Sequence, residues 1–290
     1  MTEVQGRTAF ITGGAHGIGL GIARALAADG VKVALADLDA NALSLCKAEL
    51  ASITEVETVR LDVRDRQGFV EAIDHVEESL GPVTLLINNA GVAGSGDIDD
   101  LDYALWEWNI GINLWGVING IQSVLPRMRA RGLGGHVINT ASASGLVGGT
   151  ATMAYCTAKA GVVGLSESLR TELKGSGIGV SVLCPGPVAT SILTHSAENL
   201  ASVSVSRPVP SAERRDAQMS NVLEKAIQPD EVGRRVLAAI RANQFYIHTD
   251  RVMLQALEDR HREIVDAMPD EEMSLFTAEL SAAFSRRRAS

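Results

Sequence analysis

The chain has 290 residues, 46% of them apolar and 4% aromatic, with a formal charge of -9. That much Ala, Val, Leu and Ile excludes a generally disordered chain, and the acidic balance excludes a broad nucleic-acid surface, which needs a basic face. Three cysteines, Cys46, Cys156 and Cys184, form an odd set without CxxC spacing, so neither a disulfide framework nor a zinc site is expected, and reduced thiols in the cytoplasm are the simplest reading.

The N-terminus "MTEVQGRTAFITGG" runs straight into a strand, so no leader is expected. No apolar run reaches the roughly 20 residues that span a bilayer. In chain order, "TAFITGG" (8–14) reads as a strand, "GIGLGIARALAADG" (17–30) as a helix and "KVALAD" (32–37) as a second strand. A helix over 39–51 follows, then strands at 56–63 and 83–91 flanking the helix "RQGFVEAIDHVEESLG". A long helix covers much of 102–131; strands at 135–142 and 179–186 enclose a helix near 153–174; a helix at 229–243 precedes a last strand at 245–249. About seven apolar strands alternating with helices call for an α/β fold: a doubly wound parallel sheet, covered on both faces in three layers. The Ser-rich stretch 191–228 is too long for a turn and is expected to be a substrate loop or lid. Residues 1–250 are expected to form one dinucleotide-binding domain, and 251–290 a C-terminal helical extension and tail.

Such sheets bind ligands at the carboxyl ends of their strands. The unusual residues fall there: glycines after the first strand, Asp37 after the second, Asp62 at the third, Asn89, Ala90 and Gly91 after the fourth, Ser142 after the fifth, and Pro185–Gly186 after the sixth. In "TGGAHGIG" (12–19), Gly13 allows a tight turn, Gly17 close backbone approach, and Gly19 helix-on-sheet packing. The free N–H groups of the helix start would face a pyrophosphate, with His16 and Ile18 in the same turn and His16 adding positive charge. Asp37 can accept both ribose hydroxyls of adenosine and would repel a 2′-phosphate, which predicts NAD over NADP; a helix-capping role for Asp37 or Asp39 stands beside that reading, with Asp39 the better cap.

Tyr155 and Lys159, in "AYCTAKAG" (154–161), are four apart and share one helical face. A nearby ammonium favours phenolate, and so does the positive charge of an oxidised nicotinamide. Both would bring the phenol from its ordinary pKa of about 10 toward working pH.

The set "TGGAHGIG", "LDV" (61–63), "NNAG" (88–91), Asn113, Ser142, "YCTAK" (155–159) and "PGPVAT" (185–190) resembles the short-chain dehydrogenase/reductase family in its non-extended branch, in order and spacing, over about residues 5 to 250. The resemblance implies a Rossmann-type fold and an NAD-dependent oxidoreductase interconverting a secondary alcohol and a ketone. It implies that Asp62 holds the adenine amino group, Val63 lines the ring, and Asn89, Ala90 and Gly91 flank the ribose. Pro185, Gly186, Val188 and Thr190 would surround the nicotinamide. Tyr155 would be the general acid/base, Ser142 would hold the substrate oxygen, Lys159 the nicotinamide ribose, and Asn113 would serve a water relay to Lys159. For Asn89–Gly91 and Pro185–Gly186, ordinary strand-end turn chemistry remains an alternative. A homo-oligomer, tetramer or dimer, goes with the family, whose long helix carrying Trp106, Trp108 and Trp115 usually lies between subunits.

The long loop 191–228 and a C-terminal helical segment (250–284) predict a covered, fairly roomy, apolar pocket. "NLWGVINGIQSVLPRM" and "QFYIHTDRVMLQALEDRHREIVDAM" are similar to bacterial dehydrogenases acting on the benzylic alcohol of lignin-derived aryl ethers, which implies a bulky hydrophobic or aromatic substrate, with steroid, terpenoid and other hydrophobic alcohols still open. The alternatives are a non-catalytic dinucleotide-binding regulator, which predicts a damaged Tyr–Lys–Ser set, and a sugar-nucleotide epimerase of the extended branch, which has a differently spaced glycine turn. His136, His195 and His248 lack metal-ligand spacing and read as surface or structural. Asp99, Asp100 and Asp102 read as a loop and helix start. Cys156 is assigned no role.

Overall fold

The computed structural model describes residues 2–93, 98–99, 102–200, 223, 225–270 and 275–289. Seven strands form one parallel sheet: β1 (Thr8–Thr12), β2 (Lys32–Asp37), β3 (Val56–Arg60), β4 (Val83–Asn88), β5 (Gly135–Thr140), β6 (Ile178–Cys184) and β7 (Tyr246–His248), in spatial order β3-β2-β1-β4-β5-β6-β7. The order reverses between β1 and β4. Their carboxyl ends part there, with helices leaving to opposite faces, and a ligand crevice opens.

The helices between strands are α1 (Gly17–Ala28), α2 (Ala40–Leu50), α3 (Arg66–Leu80), α4 (Tyr103–Ile110), α5 (Gly116–Arg131), α6 (Met153–Glu172), α7 (Ile192–Leu200) and α8 (Pro229–Ala242). Beyond β7 come α9 (Leu254–Asp266) and α10 (Leu275–Ala289). Strand residues alternate between two cores. Phe10, Leu86 and Val137 face the α3–α5–α6 layer with Phe69 and Val124, whereas Ile11, Leu85 and Ile138 face α1 and α8 with Ile22 and Val236. Both faces are apolar, so strands such as β1 and β4 are buried along their whole length.

Local signals place the helix starts. Asp39, Asp65 and Asp102 each accept backbone N–H groups at the first turns of α2, α3 and α4. The Asp102 cap agrees with the expected helix start; Asp100 lies outside the described residues. The long helix expected over 102–131 is interrupted: Gly111–Trp115 is a π-helical turn, with the Gly116 N–H bonded to the Gly111 carbonyl. Trp108 is buried in the chain's own core rather than held for a subunit boundary, while Trp115 is exposed under the Arg66 guanidinium. Within the 191–228 loop, Ile192–Leu200 is helical and Val188 pairs with Ile227; residues 201–222 and 224 lie outside the described residues.

α9 has no buried residue and exposes Leu254, Ile264 and Val265; α10 exposes Leu280 and Phe284. No helix among the described residues is long and apolar enough to cross a membrane, and none of their His, Cys, Asp and Glu side chains cluster in threes to hold a metal.

Candidate active site

The crevice between β1 and β4 is a cleft of about 340 Å³. Its floor is the glycine turn. Gly13 has φ +62°, and a Cβ there would lie 2.9 Å from Ala90 Cα, so the two strand ends touch backbone to backbone. The Thr12 hydroxyl accepts the N–H groups of Asn89 (2.9 Å) and Ala90 (3.1 Å). The Asn89 amide donates to the Thr12 and Gly13 carbonyls at 3.1 and 3.2 Å. That side chain fastens the turn, as the turn-chemistry alternative required, and the residue still lines the cleft. Gly17 has φ +47° and would put a Cβ 3.0 Å from Thr190 Cγ2. A Cβ at Gly19 would strike the Gly13 carbonyl and Asn89 Nδ2, so this glycine lets the start of α1 pack on the ends of β1 and β4. His16 and Ile18 line the same stretch.

At the β2 end, Asp37 accepts the N–H groups of Ala15 and Asp39, both at 3.2 Å, and stays half-buried at the cleft. Asp39, not Asp37, caps α2, and it also meets His16 Nε2 at 3.3 Å. Asp62 is gripped by Arg64 through Nε and Nη2 (2.7 Å to the latter). Burial pushes its carboxyl up, but the Arg64 bonds and charge outweigh burial and hold it below the ordinary range. Val63 packs beside it under Gly116.

The opposite end is drier. Lys159 is buried and donates to the Thr140 carbonyl at 2.9 Å, 5.8 Å from the centre of the Tyr155 ring. The Ser142 hydroxyl hydrogen-bonds the Tyr155 phenol and accepts the Ser144 N–H at 3.1 Å. These three meet as expected. The acidity does not follow: burial raises the Tyr155 pKa, the Ser142 bond only offsets it, and the protein alone holds the phenol in its acid form. Burial also lowers Lys159 to about 8, with the Cys184 thiol pulling the other way. Desolvation of both groups outweighs the help an ammonium gives a phenolate.

Asn113 sits in the π turn and is fully buried. Its Oδ1 accepts the Val92 N–H (3.1 Å), and its Nδ2 donates to the Val92 carbonyl and to Asn109 Oδ1, both at 3.0 Å. The side chain therefore ties the π turn to the loop after β4. A Cβ at Gly91 would meet both Asn113 Oδ1 and Lys159 Nζ, which places the two groups on either side of that glycine. A buried chain unread in the sequence, Asn88 to Asn139 (2.9 Å) to Ser166 (3.0 Å), ties β4 and β5 to α6, the helix bearing Tyr155 and Lys159.

Pro185, Gly186, Val188 and Thr190 line the cleft's far wall. The Gly186 N–H donates to Thr249 Oγ1 at 2.9 Å, and a Cβ there would strike Asp250. α7 brings in residues that sequence reasoning passed over: Ser191, His195, Glu198 and Asn199 line the cleft. The buried Ser196 hydroxyl accepts the Ala93 N–H at 2.8 Å. His195, expected to be surface or structural, is half-buried, and its ring meets that of His16, with centroids 4.4 Å apart. The helical spacing 191, 195, 198 was the available signal. His136 is structural, as expected: it is buried at the start of β5, bonded to Ser181 Oγ at 2.8 Å.

Residues 7–201 match the family model described as short chain dehydrogenase. The chain belongs to the short-chain dehydrogenase family. The C alpha-dehydrogenase of Sphingobium sp. strain SYK-6 is 34% identical over 270 residues, 92% of this chain and 88% of that protein. The crystal structure of a short chain dehydrogenase/reductase from Burkholderia phymatum in complex with NAD matches with a TM-score of 0.87 at 33% identity, covering 95% of this chain and 100% of that one. The apo form of LigO from Sphingobium sp. strain SYK-6 matches at 0.79 and 35% identity, covering 99% and 97%. The family resemblance read from the motifs holds, as does the similarity to C alpha-dehydrogenases. As a short-chain dehydrogenase, the chain is an oxidoreductase with a Rossmann-type fold.

Proposed function

We propose that this short-chain dehydrogenase uses NAD(H) to interconvert a secondary alcohol and a ketone on a bulky hydrophobic or aromatic substrate. The observation that carries the reading is the Ser142–Tyr155 hydroxyl pair beside the buried Lys159, at one end of a cleft whose other end carries Asp37. The residues present fit a dinucleotide: Gly13 and Gly17 leave a cradle that Cβ atoms would fill, and Asp37 offers carboxylate oxygens at the β2 end. When bound, the nicotinamide supplies the hydride acceptor or donor.

Tyr155 Oη then gives a proton to the carbonyl oxygen in reduction, or takes it from the hydroxyl in oxidation. Ser142 holds that oxygen and the phenol in one hydrogen-bonded line. Lys159 supplies a buried ammonium at this end, and Asn113 fixes the loop after β4, whose Gly91 adjoins Lys159. At the other end, the negative Asp37 favours a cofactor without a 2′-phosphate. We extend the reading to a cytoplasmic homo-oligomer; the exposed Tyr103 and Trp115 on the α4–α5 helix support a subunit boundary there. The similarity to the Sphingobium C alpha-dehydrogenase supports an aromatic alcohol as substrate. A regulator without catalysis would leave the Ser142–Tyr155–Lys159 set with no task, and nothing favours it.

The test is a screen of apolar and benzylic secondary alcohols and ketones, followed by the absorbance of reduced nicotinamide with NAD(H) and NADP(H) in parallel. Turnover of such an alcohol or ketone with NAD(H) preferred is the expected result. Binding of the dinucleotide without turnover of any member would favour the regulator.

A further inference from the structure

Four basic side chains line the cleft among the described residues: His16, Arg64, Lys159 and His195. Two of them are committed to its ends. Arg64 is forked onto Asp62, and Lys159 is buried against the Thr140 carbonyl. Between those ends, the glycine turn meets the chain beyond β6 at the Gly17–Thr190 contact. Just before Gly17, and little more than one helical turn beyond Thr190, the His16 and His195 rings come together at 4.4 Å, inclined by 55°. Each ring is held from behind. His16 Nε2 meets Asp39 Oδ2 at 3.3 Å, and α7 is fastened by the bond from Ala93 N–H to the buried Ser196.

The cleft is not electropositive as a whole, because Asp37, Asp39, Asp62 and Glu198 also line it. Of the four basic side chains that line the cleft, only these two imidazoles stand between its two ends, where a diphosphate would lie. His16 gives its Nε2–H to Asp39 and, as an imidazolium, has a second N–H at Nδ1, whereas the His195 ring has an N–H to donate in either form; bonds from N–H to a charged oxygen are among the stronger ones. We propose that His16 and His195, one from the glycine turn and one from α7, form a paired-imidazole bracket that hydrogen-bonds the diphosphate of the bound dinucleotide. The bracket makes α7 part of the cofactor site as well as the entry to the substrate loop. It rests on the dinucleotide reading above.

Calorimetric titration of the full-length protein with NAD, NADP, ADP-ribose and adenosine tests it. His195→Ala is expected to raise Kd for NAD, NADP and ADP-ribose alike by about 5- to 10-fold, with adenosine changed less than about twofold. His16→Ala behaves the same way, and the double variant loses less than the product of the two, since both act on one ligand. His195→Phe keeps a ring against His16 but no N–H, and binds as weakly as His195→Ala; His195→Asn, which keeps a donor, recovers part of the affinity. Wild-type affinity in His195→Phe would mean the ring only packs, and would overturn the proposal. So would a loss confined to NADP, which would give the pair to a 2′-phosphate, or an equal loss for adenosine, which would mean a generally disturbed cleft. If the wild-type protein binds neither NAD nor ADP-ribose, the cofactor reading falls and the bracket with it; if it binds both and the variants bind equally well, the bracket alone is wrong.

Discussion

The two ends of the cleft handle charge in opposite ways. At the β2–β3 end, Asp37, Asp62 and Arg64 are partly open to solvent, Asp37 accepting backbone N–H groups and Asp62 and Arg64 paired with each other. At the β5–α6 end, Lys159, Ser142 and Asn113 are buried, and their polar atoms are bonded to backbone and neighbouring side chains. Water screens the first end and not the second. A change at the buried end leaves a group unpaired in a low dielectric and costs far more. The open end can be altered in ways that change selectivity rather than existence.

The largest effect should come from Tyr155→Phe, which removes the one hydroxyl that moves the proton. Turnover is expected to fall on the order of 10³-fold, with Kd for NAD within about twofold; steady-state kinetics and calorimetry measure both. Turnover near the wild-type rate would remove Tyr155 from the chemistry and break the contrast at its strongest point.

The next prediction tests the same burial rule away from the cleft. Burial holds His136 at about 4, below its ordinary 6.5, so the unfolded chain takes up the proton first. Stability is intact above about pH 6.5 and falls as pH drops toward 4, by roughly 3 kcal/mol over that window. Denaturant titrations at pH 7 and pH 4.5 measure it, and His136→Asn should flatten the part due to this residue. An unchanged slope in that variant would show that burial costs the imidazole little.

Asn113→Ala strips both partners from Val92 and one from Asn109. A loss of about 2 kcal/mol is expected from the buried groups left unpaired, read as a lower denaturant midpoint. Activity should fall further than stability explains, because Val92 follows Gly91, which adjoins Lys159. The smallest effect is at the open end: Asp37→Ala should narrow the NAD over NADP ratio of kcat/KM by about tenfold and barely move the melting temperature. An unchanged ratio would reduce Asp37 to a brace for the Ala15 and Asp39 amides.

Much of this was legible in the chain, because strand, turn and helix signals are local. The alternation of apolar runs gave all seven strands, and the glycines, Asp37, Asp62, Ser142, Tyr155 and Lys159 all reach the cleft as expected. What stayed hidden depends on partners distant in sequence. The π turn at Gly111–Trp115 alters the helical period over only five residues, too few for a pattern to reveal. The bonds by which Asn89 and Asn113 fasten the cleft were not legible, because nothing local shows that Thr12 and Val92 are their partners. The sign of the Tyr155 shift was misread for the same reason: the lysine is visible four residues on, whereas the burial that outweighs it is a property of the assembled fold. His195 was missed because α7 lies in a stretch whose serines and prolines masked one short helical period.

The pairing of Val188 with Ile227, reinforced by the Ala189 N–H bond to the Ile227 carbonyl at 2.9 Å, cinches the long excursion after β6 at its neck. The chain departs and returns through one point, so lengthening or rewriting the part that follows α7 costs little closure entropy and leaves the Gly17–Thr190 contact, His195 and α8 where they are. A family member built this way can exchange its substrate range as a cassette while its grip on the dinucleotide is inherited unchanged.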